Sequence, residues 1–261
     1  VARAGILGAM RTDSLASARR VREDIEANAD IRNAYTSIPY RKGMGLIAMA
    51  DSYFGAAKFR PALGRYVRAF ADRTADSEEF FAAIGRATGS PALTESFRSF
   101  VEQAGVPYLS VRLRCEAGGA PRVDLSQQRY APLGSTIDSA ARWVIPVCVR
   151  HPVAGSDGAG RTCTLMRDDE TTLALERGGC PAWVHPNAGG AGCYRFDMGA
   201  EGWRALLAAF DALSAAEALV AVDSAVAAFE AGDADADLLL AVFGKAAAHG
   251  NRLVAEAPMA T

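Results

Sequence analysis

The chain lacks an excess of positive charge and lacks a long uncharged apolar run. Its 261 residues carry 28 lysines and arginines against 30 aspartates and glutamates, a net charge of −2. Binding to nucleic acid or to an anionic membrane surface requires a concentrated basic face, so neither partner is expected. The most apolar stretch, near 206–229, is interrupted by Asp211, Glu217 and Asp223. Neither a membrane-spanning helix nor a signal peptide is therefore predicted.

Histidine is also scarce, and the residue types that commonly bind metals are scattered. His151, His185 and His249 stand far apart, and the sequence contains no His-Glu-x-x-His segment. The glycines at 189, 190 and 192 lack the spacing of a dinucleotide-binding loop. We therefore assign no metal ligand and no nucleotide site within this chain.

The five cysteines, at positions 115, 148, 163, 180 and 193, form no Cys-x-x-Cys pair, so a structural zinc site is not predicted. Cys163 and Cys180 bracket a predicted hairpin, and one interpretation is that they form a disulfide. The enclosed loop of about 17 residues would then contribute roughly 3 kcal/mol and indicate an oxidising compartment. The alternative is that they are two reduced thiols in the core.

Sequence periodicity predicts an α+β multidomain chain with three regions. Residues 1–105 have helical patterning, 106–199 alternate as strands of a small β-sandwich, and 200–261 form alanine-rich helices. Predicted helices begin at the cap residues of 12–14, run through 43–54 and 59–70, and follow Asp76, Ser90 and Asp235. Predicted strands lie near 108–115, 122–128, 142–150, 162–166, 171–175, 182–185 and 193–196.

The most informative segment is 33–43, Asn-Ala-Tyr-Thr-Ser-Ile-Pro-Tyr-Arg-Lys-Gly, followed by an apolar helix. It resembles the catalytic-tyrosine segment of the zinc aminopeptidases of the aminopeptidase N family, roughly Tyr-x-x-x-x-Tyr-x-Lys-Gly. The resemblance implies that Tyr40 is the catalytic residue that hydrogen-bonds the developing oxyanion. It implies that Tyr35 is an accessory aromatic that either binds substrate or serves packing.

The residues around Tyr40 carry two further expectations. Pro39 restricts Ile38 to extended backbone and so stiffens the segment as a loop before the helix. Arg41 and Lys42 are interpreted as charges on a solvated turn.

Other segments are similar to the same family, in the same order along nearly the whole chain. They are Asp13 to Arg22 after the zinc-binding helices, Phe100 to Pro107 at the crossing into the sandwich, Leu125 to Tyr130, Trp143 to Val147, and Pro186 to Arg195. Three positions depart from the family pattern. Arg20 replaces a proline, Phe100 a tryptophan and Cys193 an aromatic residue.

The resemblance implies a C-terminal fragment of a peptidase that removes N-terminal residues from peptides. Residues 1–105 would be the helical lobe of a thermolysin-like catalytic domain, 106–199 the β-sandwich, and 200–261 the first helices of a C-terminal α-helical domain. The intact enzyme would use zinc, whose ligands lie upstream of this chain. The chain alone is therefore expected to bind no zinc and to be inactive.

Three expectations remain open at this stage. The alternative to an enzyme is a non-catalytic interaction or scaffold module that keeps the family's fold. A periplasmic or secreted location is favoured over a cytoplasmic one. The face that carries Tyr35, Tyr40 and Met44 is expected to be exposed and available for self-association.

Overall fold

The computed structural model describes residues 2–23, 25–28, 30–116, 119–153, 155, 158–176 and 179–259. Over these residues the chain is a mixed α and β structure, with five α-helices before the strands and four after them. The first five are α1 (Ala2–Asp13), α2 (Ser37–Phe54), α3 (Ala56–Ala69), α4 (Ser77–Thr88) and α5 (Ala92–Val101). The last four are α6 (Gly199–Ala208), α7 (Ala215–Ala231), α8 (Ala236–Ala247) and α9 (Arg252–Ala255).

The strands between them form two small sheets. They are β1 (Pro107–Arg114), β2 (Arg122–Arg129), β3 (Ile145–Pro152), β4 (Ala159–Met166), β5 (Glu170–Ala174) and β6 (Arg195–Asp197). One sheet has the order β5-β2-β1-β6, and the other is the β3-β4 pair. The pairings are antiparallel except β1 with β6, which is parallel. The predicted three-domain order and the β-sandwich remain predictions.

The helical and strand regions share one continuous apolar core. Buried side chains run from Ile6 in α1 through Phe100 and Trp143 to Trp203 in α6 and Val254 in α9. Burial of this apolar surface is the main favourable term that holds the elements together. No helix among the described residues is both long and apolar enough to cross a membrane.

Several local signals act as predicted. Asp76 accepts from the Glu79 backbone N–H while the Glu79 side chain caps the Asp76 N–H, which completes the capping box of α4. Gly232 ends α7 in the left-handed region at φ 83°, and Asp235 caps α8. These signals depend on residues three or four positions apart, so they are readable from the sequence.

Three local predictions are wrong. The helix predicted to begin at 12–14 does not form; α1 ends at Asp13, and the backbone over 14–23 consists of turns and bends. Ile38 is helical rather than extended, because α2 begins at Ser37, six residues earlier than predicted. The predicted strand over 182–185 contributes only an isolated bridge between His185 and Arg150.

The predicted cysteine pairing is also wrong. Cys115 is bonded to Cys180, with Cα atoms 5.6 Å apart, and Cys148 to Cys163, with Cα atoms 4.1 Å apart. Cys148 and Cys163 are cross-strand neighbours in the β3-β4 register, which brings the pair together. Cys193 is a free, buried thiol, and burial raises its pKa to about 11.

Candidate functional site

Tyr40 lies in the first turn of α2. The helix follows Thr36, whose extended backbone forms the N-cap without a side-chain hydrogen bond. Pro39 is tolerated here because the first-turn N–H groups of a helix have no intrahelical acceptor. Ile38 is buried and fixes this turn against the core. Tyr40 is therefore presented from an ordered helix start and not from a loop.

The ring of Tyr40 faces outward from this turn. Tyr40 is 62% exposed, Tyr35 just before α2 is 70% exposed, and Met44 one helical turn later is 42% exposed. Residues four apart lie on one side of a helix, so Tyr40 and Met44 share a face. The phenol oxygen of Tyr40 has no hydrogen-bond partner among the described residues. The exposure expected for this face is therefore observed.

Lys42, two residues after Tyr40, has the opposite environment, and its prediction as a solvated charge is wrong. Its side chain is 7% exposed, and Nζ lies 2.8 Å from Oδ2 of Asp13. Nζ also donates to the carbonyl oxygens of Gln103 at 3.1 Å and Gly105 at 3.4 Å. Arg41, by contrast, is exposed as predicted.

Asp13 completes this buried cluster. Its Oδ1 accepts the backbone N–H of Gly105 at 2.9 Å, while Oδ2 contacts Lys42. A buried charge is tolerated when it is paired and its remaining lone pairs are hydrogen-bonded. The cluster joins the end of α1, the second turn of α2 and the chain just before β1, and so fixes the helix that carries Tyr40.

A second buried cluster begins at the next residue, Ser14. Arg195 Nη1 donates to Ser14 Oγ at 2.8 Å, and Arg195 Nε donates to Asp223 at 2.9 Å. The guanidinium lies 4.6 Å from the ring centre of Tyr130, whose hydroxyl donates to Glu230 at 2.6 Å. Burial disfavours the charged form of Arg195, yet Asp223 holds its pKa above the ordinary value. This cluster joins α1, β6 and α7.

Two other segments that resemble the family pattern, 125–130 and 186–195, each contain a side-chain amide that hydrogen-bonds to the backbone. The Gln127 amide binds Trp143 in both directions, Nε2 to the carbonyl and Oε1 to the backbone N–H, each at 2.9 Å. Asn187 closes the turn to Gly192, whose N–H donates to Oδ1 at 2.7 Å. Their residue types were read in the sequence, but these structural roles were not. No local signal reveals the Gln127 contact, because Trp143 lies 16 positions away. The Asn187 contact spans 5 positions within one turn.

The described residues do not form a zinc site. They contain no group of three or more histidine, cysteine, aspartate or glutamate side chains placed to bind one metal. His185 is buried and bonded to the Glu217 carbonyl and the Asn187 N–H, and His151 contacts Pro152 and Thr162. The donor set of this part of the chain therefore does not fit a catalytic zinc ion.

Comparison with known proteins gives a consistent result. Residues 4–103 match the Peptidase family M1 domain. This part of the chain is therefore similar to M1 peptidases, and the relatives that follow are similar over a longer stretch. Aminopeptidase M1 of Arabidopsis thaliana is 28% identical over 195 residues, covering 71% of this chain and 21% of the relative. Probable M1 family aminopeptidase 1 of Encephalitozoon cuniculi is 28% identical over 209 residues, covering 80% of this chain and 22% of the relative.

The similarity to M1 aminopeptidases covers only a small part of each relative's length. Aminopeptidase M1-A of Oryza sativa is 29% identical over 137 residues, which is 52% of this chain and 15% of that relative. The chain thus spans about a fifth of the length of these M1 relatives. The domain match includes Tyr35, Tyr40 and Lys42. These relatives are named as aminopeptidases, and M1 aminopeptidases are zinc-dependent in general.

Proposed function

We propose that this chain is part of a zinc-dependent aminopeptidase that removes N-terminal residues from peptides, with Tyr40 as its oxyanion-stabilising residue. The observation that supports this role is the contrast on α2. The Tyr40 hydroxyl is exposed and unpartnered among the described residues, while the helix beneath it is fixed by Lys42 and Asp13. A catalytic donor needs both properties, since it must be free to bind and must not move.

Attack on a peptide carbonyl develops negative charge on the carbonyl oxygen. A phenol suits this position because its O–H group can donate a hydrogen bond to the developing charge. A donor that is placed before the reaction binds the oxyanion more strongly than the ground-state carbonyl and so lowers the barrier. Because the described residues do not fit zinc, the metal would be held by residues outside the described part of the chain.

Tyr35 is proposed as a substrate contact near the same face. It ends the short 3-10 helix Asp30–Tyr35, and its 70% exposure leaves most of the ring free of contact with the described residues. A packing role would require another part of the intact protein to cover the ring. Tyr35 therefore provides a control for Tyr40, since both are exposed tyrosines on adjacent turns.

The test is steady-state hydrolysis of leucine p-nitroanilide by the full-length protein. Tyr40→Phe is expected to lower kcat by two to three orders of magnitude, about the cost of removing one oxyanion donor, with little change in KM. Tyr35→Phe should change kcat less than tenfold. Near-normal kcat in Tyr40→Phe would remove Tyr40 from the mechanism.

The alternative is a non-catalytic interaction or scaffold module, which is favoured by the lack of a zinc donor group in the described residues. Hydrolysis by the full-length protein that is lost with a chelator and restored by zinc would reject this alternative. Absence of hydrolysis together with absence of bound zinc in the full-length protein would support it. The purified chain alone is proposed to be inactive under either reading.

The two disulfides support a proposed location. Disulfides persist mainly in secreted and periplasmic proteins because the cytosol keeps thiols reduced. The bonds from Cys115 to Cys180 and from Cys148 to Cys163 therefore favour a periplasmic or secreted location over a cytoplasmic one. Isolation of the protein from its native cells under thiol-blocking conditions would test this by mass spectrometry.

A further inference from the structure

The disulfide between Cys148 and Cys163 has a cationic side chain on one of its two sulfurs. Nη2 of Arg161 lies 3.1 Å from Sγ of Cys148. Arg161 precedes Cys163 by two residues on β4, and side chains two residues apart on a strand share a face. Within the described part of the chain, no cationic group is hydrogen-bonded to a sulfur of the other disulfide, Cys115–Cys180.

The positive charge of Arg161 is held in place by uncharged groups. Nη2 donates to the Ser52 carbonyl at 2.5 Å and to the Ser52 hydroxyl at 3.1 Å, and the described residues give Arg161 no ion pair. Ser52 belongs to α2, so these bonds fix the guanidinium between that helix and the disulfide. Arg150, opposite Arg161 in the strand register, is instead paired with Glu217 at 2.8 Å. Arg161 thus places an uncompensated charge beside Cys148.

The two sulfurs of this disulfide also differ in access. Cys148 is only 6% exposed, whereas Cys163 is partly exposed. A thiolate that attacks the Cys163 sulfur expels Cys148 as the leaving thiolate, and exchange is faster when the leaving thiolate is more stable. Burial alone disfavours a thiolate, but a cationic donor in contact with the sulfur favours it. Access and charge therefore select the same direction of attack.

The fold keeps the two cysteines adjacent whether or not they are bonded. Cys148 and Cys163 are directly opposite in the antiparallel β3-β4 pair, which continues on both sides of them, from Ile145 with Met166 to Pro152 with Ala159. The backbone ladder does not depend on the sulfur–sulfur bond. Reduction is therefore expected to leave the two thiols next to each other, ready to be oxidised again.

We propose that Cys148–Cys163 is a thiol–disulfide exchange site for small thiols, with Cys163 as the attacked residue and Cys148 as the leaving group. The thiolate of a small thiol forms a bond to Cys163 Sγ. The bond between Cys163 and Cys148 breaks, and Cys148 leaves with the electron pair beside Arg161.

A second small thiol completes the exchange. Its thiolate attacks the outer sulfur of the mixed disulfide and releases Cys163 as a thiolate. The two small thiols lose two electrons and become one disulfide, while the protein disulfide gains two electrons. The two protons given up by the small thiols are available to the two cysteines. This inference goes beyond the proposed aminopeptidase activity and does not involve Tyr40, so it is tested independently of peptide hydrolysis.

The direction of attack is tested with 2-mercaptoethanol, an uncharged small thiol, and the purified wild-type protein. Samples are quenched with acid at successive times, free thiols are alkylated, and peptides are mapped by mass spectrometry. The mixed disulfide is expected on Cys163, with the alkylated thiol on Cys148. A mixed disulfide mainly on Cys148, or equally on both residues, would overturn the proposal.

Matched variants test the charge. Arg161→Gln should slow exchange at Cys148–Cys163 by about three to ten times and change exchange at Cys115–Cys180 less than about twofold. Arg167→Gln is the control, because Arg167 follows β4, is 50% exposed and loses the same charge. It should change both rates less than about twofold. An unchanged or faster rate at Cys148–Cys163 in Arg161→Gln, or equal slowing of both disulfides, would overturn the role of Arg161.

Two further measurements separate charge from structure. Arg161→Lys keeps the positive charge, so it should exchange faster than Arg161→Gln, and circular dichroism checks that each variant is folded. In a buffer of 2-mercaptoethanol and its disulfide above pH 8, Arg161→Gln should shift Cys148–Cys163 toward the oxidised form by about threefold or more. Failure of the bond to form again in folded, reduced wild-type protein when the small disulfide is added would also overturn the exchange site.

Discussion

Tyr40 and Lys42 are two residues apart on one helix, but they belong to different regions of the molecule. Tyr40 lies on an outward face with Tyr35 and Met44, and its hydroxyl has no partner among the described residues. Lys42 is buried among Asp13 and the carbonyls of Gln103 and Gly105. A short motif can thus contain one residue available for chemistry and one that fixes the position of the first.

The buried region extends well beyond Lys42. Asp13 and Ser14 are adjacent, and each is bound by a different cationic side chain, Lys42 and Arg195. This arrangement fixes the end of α1 against α2, β6 and α7. Among the described residues, the exposed face with Tyr35, Tyr40 and Met44 has no comparable network, so we expect substitutions in the two regions to affect different properties. Each prediction below tests that division, from the largest expected effect to the smallest.

Lys42→Met should have the largest effect on stability. It leaves the Asp13 carboxylate buried without its cation, and breaking a buried pair typically costs about 3–5 kcal/mol. The free energy of unfolding from urea titration is the measurement. Arg41→Met is the matched control, since Arg41 is exposed and its loss should change stability by about 0.5 kcal/mol or less. Equal losses of stability in the two variants would contradict the division between buried residues that stabilise the fold and exposed residues that do not.

Tyr40→Phe should change rate without changing stability. The expected loss in kcat for the full-length enzyme corresponds to about 2.7–4 kcal/mol of transition-state stabilisation. The free energy of unfolding should change by about 0.5 kcal/mol or less, because the exposed hydroxyl makes no contact with the described residues. A loss of stability larger than 1 kcal/mol would show that Tyr40 belongs to the structural region in the intact protein.

Lowering the pH should destabilise the folded chain, because it protonates the buried side chain of His185. Burial lowers the pKa of His185 to about 4, and its Nδ1 accepts from Asn187 N–H while Nε2 contacts the Glu217 carbonyl. Between pH 4 and the unfolded value near 6.5, the unfolded chain binds a proton that the folded chain does not. Stability is therefore complete above pH 6.5 and falls as pH decreases toward 4, by up to about 3 kcal/mol.

Urea titrations at several values from pH 4 to pH 7 measure this dependence. His185→Gln should flatten the part of the slope that His185 contributes, even though the variant is less stable overall. Retention of the full wild-type slope in His185→Gln would contradict the assignment.

Tyrosine nitration should distinguish exposed from buried tyrosines without any substitution in the protein. Tyr35 and Tyr40 are exposed and should react first with tetranitromethane. Burial raises the pKa of Tyr108 and Tyr194, so these residues should remain unmodified in the folded chain. Peptide mapping by mass spectrometry gives the order. Protection of Tyr40 that increases with protein concentration would support self-association through this face, and nitration of Tyr194 before Tyr40 would contradict the division.

The signals that begin and end the helices could be read from the sequence because each depends on residues only a few positions apart. A capping box needs two side chains three residues apart, as at Asp76 and Glu79, and a left-handed helix end favours glycine, as at Gly232. The same rules failed at 12–14. Asp13 has the character of a cap residue, but its carboxylate binds Lys42 and Gly105, and those contacts end α1 where a new helix was predicted to begin.

The sequence by itself determined the mixed helical and strand composition, the apolar helical run that follows Tyr40, and the similarity to M1 aminopeptidases at the family level. Only the tertiary structure decided that Lys42 is buried, that Cys180 pairs with Cys115, and that Arg195 reaches Ser14 across 181 positions. The physical reason is that residue type and spacing govern backbone hydrogen bonding over a few residues. Burial and pairing of a charge or thiol depend instead on which distant segments the core brings together.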